Sequence, residues 1–156
     1  MRFLQVYAAA ALCGLCANAR PNWAGQMVSA HNHIRKQVHV PKLKWSDELA
    51  KVAEDWAKHL AKENLFEHSR GQFGENLFSI TEKRAPAKQV VEAWASEERN
   101  YDYKTNRCRK GECGHYTQIV WRGTAEVGCG VARQGRREVW VCEYSPPGNY
   151  VGQRPY

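Results

Sequence analysis

Four side chains carry the chemistry worth following: His68, Glu75, Glu97 and His115, separated in turn by 7, 22 and 18 residues. Two imidazoles and two carboxylates are a donor set that suits a divalent metal, zinc above all. The same four groups could instead satisfy one another by hydrogen bonds. Their spacing matches no local metal motif, so only the fold can bring them together. Local context sets them apart from their kind. His68 and Glu75 bracket the glycines of HSRGQFGEN, and glycine lets backbone approach a ligand closely. His115 follows a glycine at the entrance to HYTQIVW. Glu97 falls seven residues after Val90, on what reads as the apolar face of a helix, where a carboxylate needs a partner. Of the other histidines, His33, His39 and His59 stand among charged residues and are expected in solvent. His31 lies near an apolar helix face and is expected as a satisfied core residue.

The elements that position these groups follow from the hydrophobic period. A first helix is expected over 22–38, with Trp23, Met27, Ala30, Ile34 and Val38 at helical spacing and Pro41 beyond its end. A second starts after Ser46, an N-cap followed by Asp47 and Glu48, and buries Leu49, Ala53, Trp56 and Leu60. Residues 66–78 read as turns with a short strand. Pro86 opens a third helix running to about Tyr101, with Val90, Trp94 and Tyr101 inward. The rest reads as strands: 117–121, then a hairpin of 127–133 and 138–144. Its loop is Gly135-Arg136, glycine first as a type II′ turn prefers. That register sets Gln134 against Arg137, Arg133 against Glu138, Val131 against Trp140 and Cys129 against Cys142. Opposed strand cysteines are close enough to bridge, and Cys108 and Cys113 would then close a short loop. The last stretch, SPPGNYVGQRPY, reads as extended. Helices followed by strands indicate an α+β fold with a largely antiparallel sheet.

A chain of 156 residues is one domain in length. Its opening, MRFLQVYAAAALCGLCANA, has a positive residue, a short apolar run and an A-x-A site, the pattern of a signal peptide over 1–19. The run is too short to span a bilayer, so no transmembrane anchor is expected. The mature domain is then expected over 20–156, secreted, and a monomer is the expectation for it. Cys13 and Cys16 leave with the signal, and the four remaining cysteines make two disulfides, with three pairings open to them. The net charge of +7 is scattered, giving a basic soluble surface that could be drawn to an anionic cell wall or microbial membrane. No stacking motif accompanies it, and a nucleic-acid partner is not expected.

GHYTQIVWRGTAEVGCG and VCEYSPPGNYVGQRPY closely resemble the two signatures of the CAP superfamily, the cysteine-rich secretory, antigen 5 and pathogenesis-related group 1 proteins. HSRGQFGENLF and WASEERNYDYKTNRC match its two other blocks, and the resemblance is nearest to plant pathogenesis-related group 1 proteins. It implies an α-β-α sandwich around a central antiparallel sheet. It implies that His68, Glu75, Glu97 and His115 line one water-filled cleft, which binds zinc in some relatives and would leave a metal open positions. It implies sterol or lipid binding near the aromatic loop at about 101–108, making Tyr101 and Tyr103 candidate ligand contacts. It implies a defence role exerted by binding rather than by catalysis. A metal-dependent hydrolase, and a precursor that releases residues 146–156 as a signalling peptide, are the alternatives. Two departures stand out. Plant relatives usually carry a third disulfide, which residues near Asn64 and Gln134 replace here. Glu143 stands where the signature usually has asparagine, which alters the context in which a processing protease would cut.

Overall fold

The computed structural model describes residues 21–156, so the signal peptide expected over 1–19 lies outside the described residues. Four helices and six strands follow in the order α1 (Asn22–Gln37), β1 (Lys44–Trp45), α2 (Asp47–Lys62), β2 (Gly74–Thr81), α3 (Ala87–Ala95), β3 (Tyr101–Asp102), β4 (Arg107–Cys108), α4 (Gly114–Ile119), β5 (Glu126–Gln134) and β6 (Arg137–Ser145). The main sheet has the order β1-β5-β6-β2 and is antiparallel except for the short parallel pair β1–β5. β3 and β4 form a separate two-stranded hairpin.

Strand alternation divides the core into two layers. Val139 and Val141 of β6 and Leu77 of β2 face α2, where they meet Ala53, Ala57 and Leu60. Trp140, Cys142 and Tyr144 face the other way, toward Met27 of α1, Val90 and Trp94 of α3, and Tyr116 and Ile119 of α4. This is the α-β-α sandwich expected from the resemblance. α2 lies close to β5 because two β5 residues lack side chains. A Cβ on Gly128 would sit 2.1 Å from the Ala50 nitrogen, and one on Gly130 would sit 2.3 Å from Glu54 backbone.

The hairpin of β5 and β6 has the expected register throughout, with Gln134 opposite Arg137, Arg133 opposite Glu138, Val131 opposite Trp140, and Cys129 opposite Cys142. The disulfides are Cys108–Cys113 and Cys129–Cys142. Near Asn64, Arg137 ties the loop after α2 to the sheet. It donates to the Leu60 carbonyl at 3.3 Å, Asn64 Oδ1 at 3.2 Å and the Leu65 carbonyl at 2.6 Å. α2 begins as expected, with Ser46 Oγ accepting from the Leu49 N–H.

Three expectations need correction. Residues 117–121 are not a strand; Gly114–Ile119 form α4. Their β-branched and aromatic side chains suit a strand locally, but Tyr116 and Ile119 are buried in the helical layer, and packing outweighs propensity. The third helix does not run to Tyr101. It ends at Ala95, Ser96–Asn100 tighten into a 3-10 turn, and Tyr101 starts β3. Glu97 therefore sits in that turn, half-buried, rather than on a continuous α-helical stripe. In α1 the buried face is Ala24, Met27, His31 and Arg35, while Trp23, Ala30, Ile34 and Val38 are only partly buried. Two polar residues thus occupy its core positions.

Candidate functional site

The four predicted residues arrive as two imidazole–carboxylate pairs. On α4, His115 Nδ1 lies 2.6 Å from Glu97 Oε1. On the loop before β2, His68 Nδ1 lies 2.5 Å from Glu75 Oε1. A carboxylate only accepts, so each Nδ1 carries a proton, and in the neutral form of either ring Nε2 is the nitrogen left free for a metal. This is the arrangement by which carboxylates orient metal-binding imidazoles. His68, Glu75, Glu112 and His115 line one cleft of about 430 Å³, together with Asn76 and Asn149.

Each pair is held by its element. The remaining Glu97 oxygen accepts from the backbone N–H of His115 at 3.0 Å and of Tyr116 at 3.4 Å, so Glu97 also caps α4. Trp94 stacks on the His115 ring, with centroids 6.1 Å apart. Asn76 Nδ2 donates to the His115 carbonyl at 3.1 Å. Glu75 also accepts from the Ser69 N–H at 3.1 Å. Burial pushes the Glu75 carboxyl up, but the hydrogen bonds from His68 and Ser69 outweigh it and hold it below its ordinary value. The Glu75 hydrogen bond raises His68 in turn.

Sequence reasoning missed three residues. Glu112 lies on the loop closed by Cys108–Cys113. Glu97, Glu112 and His115 form a group whose donor atoms all lie within 4.8 Å of one another, and such a group could hold a divalent ion. Its proximity to Cys113 and His115 in sequence was the available signal. Glu143, noted only as a departure from the family signature, lies directly across the strand pair from Glu75. It is 1% exposed, and neither of its oxygens has a hydrogen-bond partner. Burial first, and then the negative charge of Glu75, push its carboxyl up to about 8. Glu138 on the same strand is equally buried and behaves oppositely. It accepts from the Ala85 N–H, Trp140 Nε1 and Arg133 Nε at 3.0, 2.8 and 2.7 Å, and its carboxyl is held below its ordinary value.

Arg35 is the third. It is fully buried and donates to the carbonyls of Pro41 at 2.6 Å, Ile119 at 2.7 Å, Trp121 at 2.9 Å and Thr124 at 3.0 Å. It thereby collects carbonyls at and just beyond the end of α4. His31 is the satisfied core histidine expected, bonded to the Met27 carbonyl and Tyr144 Oη at 2.8 Å each. His33, His39 and His59 are exposed.

Tyr101 and Tyr103 stand outside the cleft, on the β3–β4 hairpin. Their rings meet edge to face at 6.5 Å, and Tyr103 is 47% exposed. They adjoin Tyr116 and Tyr156, forming a patch of four tyrosines.

A family model described as the cysteine-rich secretory protein family, CAP, matches residues 28–144. Pathogenesis-related protein 1A of Nicotiana tabacum is 43% identical over 131 residues, covering 83% of this chain and 78% of its own. Pathogenesis-related protein 1 of Arabidopsis thaliana is 41% identical, covering 83% and 80%. Among solved structures, venom allergen-like protein 4 of Schistosoma mansoni superimposes with a TM-score of 0.70 at 28% identity, over 88% of this chain and 95% of that one. The structure of NaASP2 with Zn2+ superimposes with a TM-score of 0.71 at 26% identity, over 92% and 90%. With the sandwich and the relatives in agreement over most of its length, the chain belongs to the CAP family of cysteine-rich secretory proteins, as a pathogenesis-related group 1 type member.

Proposed function

We propose that this is a secreted defence protein that binds a sterol or related lipid of a microbial target and does not turn it over. The observation that carries the reading is the exposed aromatic hairpin. Tyr103 leaves nearly half its surface in solvent, edge to face with Tyr101, and an exposed aromatic ring on a hairpin suits a flat apolar ligand. The serines nearest the cleft in sequence support binding over hydrolysis. Ser69 Oγ accepts from the Gly71 N–H, and Ser96 Oγ donates to the Ala93 carbonyl, so their hydrogen bonds run to backbone rather than to an imidazole. Among the described residues no helix is long and apolar enough to cross a membrane. A screen of sterols, fatty acids and phospholipids against the mature protein, with and without zinc, tests the reading. Sterol capture is expected, and Tyr101→Ala with Tyr103→Ala should weaken it at least tenfold. Unchanged capture removes the hairpin from the site. The groove of about 650 Å³ between α1 and α3, lined by Ala30, Ile34 and Val91, then becomes the place to look.

The cleft we read as a divalent-metal site, with zinc as the first choice. The donor chemistry fits best around His115, where Glu97 and Glu112 bring carboxylate oxygens within 4.8 Å; His68 and Glu75 line the same cleft outside that group. His68 and His115 would hold the ion by nitrogen, Glu75 and Glu97 would orient them, and the ion would supply a Lewis-acidic contact for an anionic or carbonyl group. The relation to NaASP2, solved with Zn2+, supports it. Isothermal titration with zinc chloride should give binding to the wild type and at least tenfold weaker binding to His68→Ala and His115→Ala. Equal heats in all three exclude these imidazoles. Affinity should fall as acid protonates them.

A further inference from the structure

We propose that residues 153–156 are a cap on the tyrosine patch, occupying the place of the ligand until it is displaced or removed. The inference rests on the sterol reading and names what controls that site.

The segment is held by side chains and isolated bonds rather than by a strand ladder. The Tyr156 ring stacks on Tyr103 at 5.0 Å and 18°, and lies 6.5 Å from Tyr101. Its hydroxyl is 3.2 Å from that of Tyr116, a residue with no exposed surface. The Arg154 guanidinium lies 5.0 Å from the centroid of the Tyr103 ring and donates to the carbonyls of Tyr103 and of Lys104, the latter at 3.0 Å. Asn106 Nδ2 donates to the Gln153 carbonyl at 2.9 Å, and the Arg122 N–H to the buried Pro155 carbonyl at 2.7 Å.

Tyr156 thus offers the patch a flat ring that stacks on Tyr103 and one hydroxyl that pairs with Tyr116. A sterol offers the same two things, a flat apolar body and one hydroxyl. Both cannot use the Tyr103 face and the Tyr116 hydroxyl together. A cap closed about nine-tenths of the time lowers the apparent affinity of a competitor about tenfold. Loss of residues 146–156 as a peptide would therefore also uncover the ligand face, linking the two readings that the family resemblance keeps apart.

The test uses the mature chain, Arg154→Gln, and a chain ending at Gly152, with fluorescent dehydroergosterol as the probe. Arg154→Gln loosens the cap by removing its contacts to the Tyr103 ring and carbonyl while the side chains of Tyr101, Tyr103 and Tyr116 stay in place, and it keeps the test sound if the shortened chain folds poorly. Both variants should bind the probe about tenfold more tightly than the mature chain. Hydrogen exchange should quicken at the amides of residues 101–109. Equal or weaker binding by Arg154→Gln overturns the cap and leaves the sterol reading standing. No probe binding by any of the three sinks both.

Discussion

Glu143→Gln should melt roughly 10 °C above the wild type at pH 9 and close to it at pH 4. The cause is a carboxyl with no donor. Glu143 is buried beneath α2, beside Gly128 on one strand and opposite Glu75 on the other, and Glu75 is the charged group that faces it. Protonated, it can donate to Glu75, so the pair shares one hydrogen bond and one charge. Ionised, it places two carboxylates side by side in a poorly solvated site. The sign follows from proton counting. The folded chain keeps the Glu143 proton up to about pH 8, whereas the unfolded chain releases it near 4.5. Between those limits the folded state holds more protons, so stability falls as pH rises, and the loss is complete above about 8. The full loss is on the order of 5 kcal/mol. His68, raised by Glu75, adds a smaller loss of the same sign as pH climbs through its folded value, reduced because its side chain is 61% exposed. Glu75, held low, acts oppositely and costs stability only as the pH falls through its own low value. Glutamine keeps the shape of Glu143 and cannot ionise, so its melting curve should lose the Glu143 fall, leaving the fall from His68 and, below pH 6.5, an opposing rise from His31, whose buried ring is drawn down to about 4. Thermal melts at four pH values decide it; parallel curves for the two proteins would show that Glu143 does not ionise in this range.

The resemblance to the family signature singles out Glu143 as a departure, but what the glutamate does there could not be read from the sequence. Its effect depends on Glu75 standing opposite, a pairing 68 positions apart set by the β2–β6 register. The same contrast runs through the molecule. The β5–β6 hairpin and the start of α2 were readable because their information is local: a two-residue turn fixes a register, and Ser46 caps within three residues. Residues 117–121 carry strand-like side chains, while what holds the helix over Gly114–Ile119 comes from elsewhere. Glu97 caps its first turn from 18 positions back, and Arg35 gathers carbonyls at and beyond its end from 84 or more positions back. Of the site, the histidines and their carboxylates could be nominated by residue type and glycine context. Glu112 had only its nearness to Cys113 and His115 in sequence to single it out, because its distance to the His115 ring depends on how the disulfide loop folds. The contact between Tyr103 and Tyr156, whose partners lie 53 positions apart, could not be nominated.

Arg35→Met should lower stability by about 4 kcal/mol, a fall in melting temperature of roughly 10 to 15 °C. Methionine fills much of the buried stem but leaves four carbonyls without their donor, at Pro41, Ile119, Trp121 and Thr124. Each buried acceptor so orphaned costs about 1 kcal/mol or more. Burial already draws the guanidinium down to about 10, so desolvation opposes the interaction, yet the group stays charged at neutral pH and its hydrogen bonds are charge-assisted. Arg35→Lys separates charge from geometry. A lysine keeps the positive charge but has three donors on one nitrogen, which cannot span carbonyls reached here from Nε, Nη1 and Nη2. It should recover less than half of the loss. The consequence for function runs through α4. With the Ile119 carbonyl released, the last turn of α4 loosens while Glu97, Trp94 and Asn76 still hold the His115 end, so the His115 ring feels the change through the helix. Hydrogen exchange at residues 117–120 should quicken in Arg35→Met by more than the global loss of stability explains, and zinc affinity should fall with it. A melting temperature within 3 °C of the wild type would mean that water replaces the guanidinium at no cost, and that α4 does not depend on Arg35.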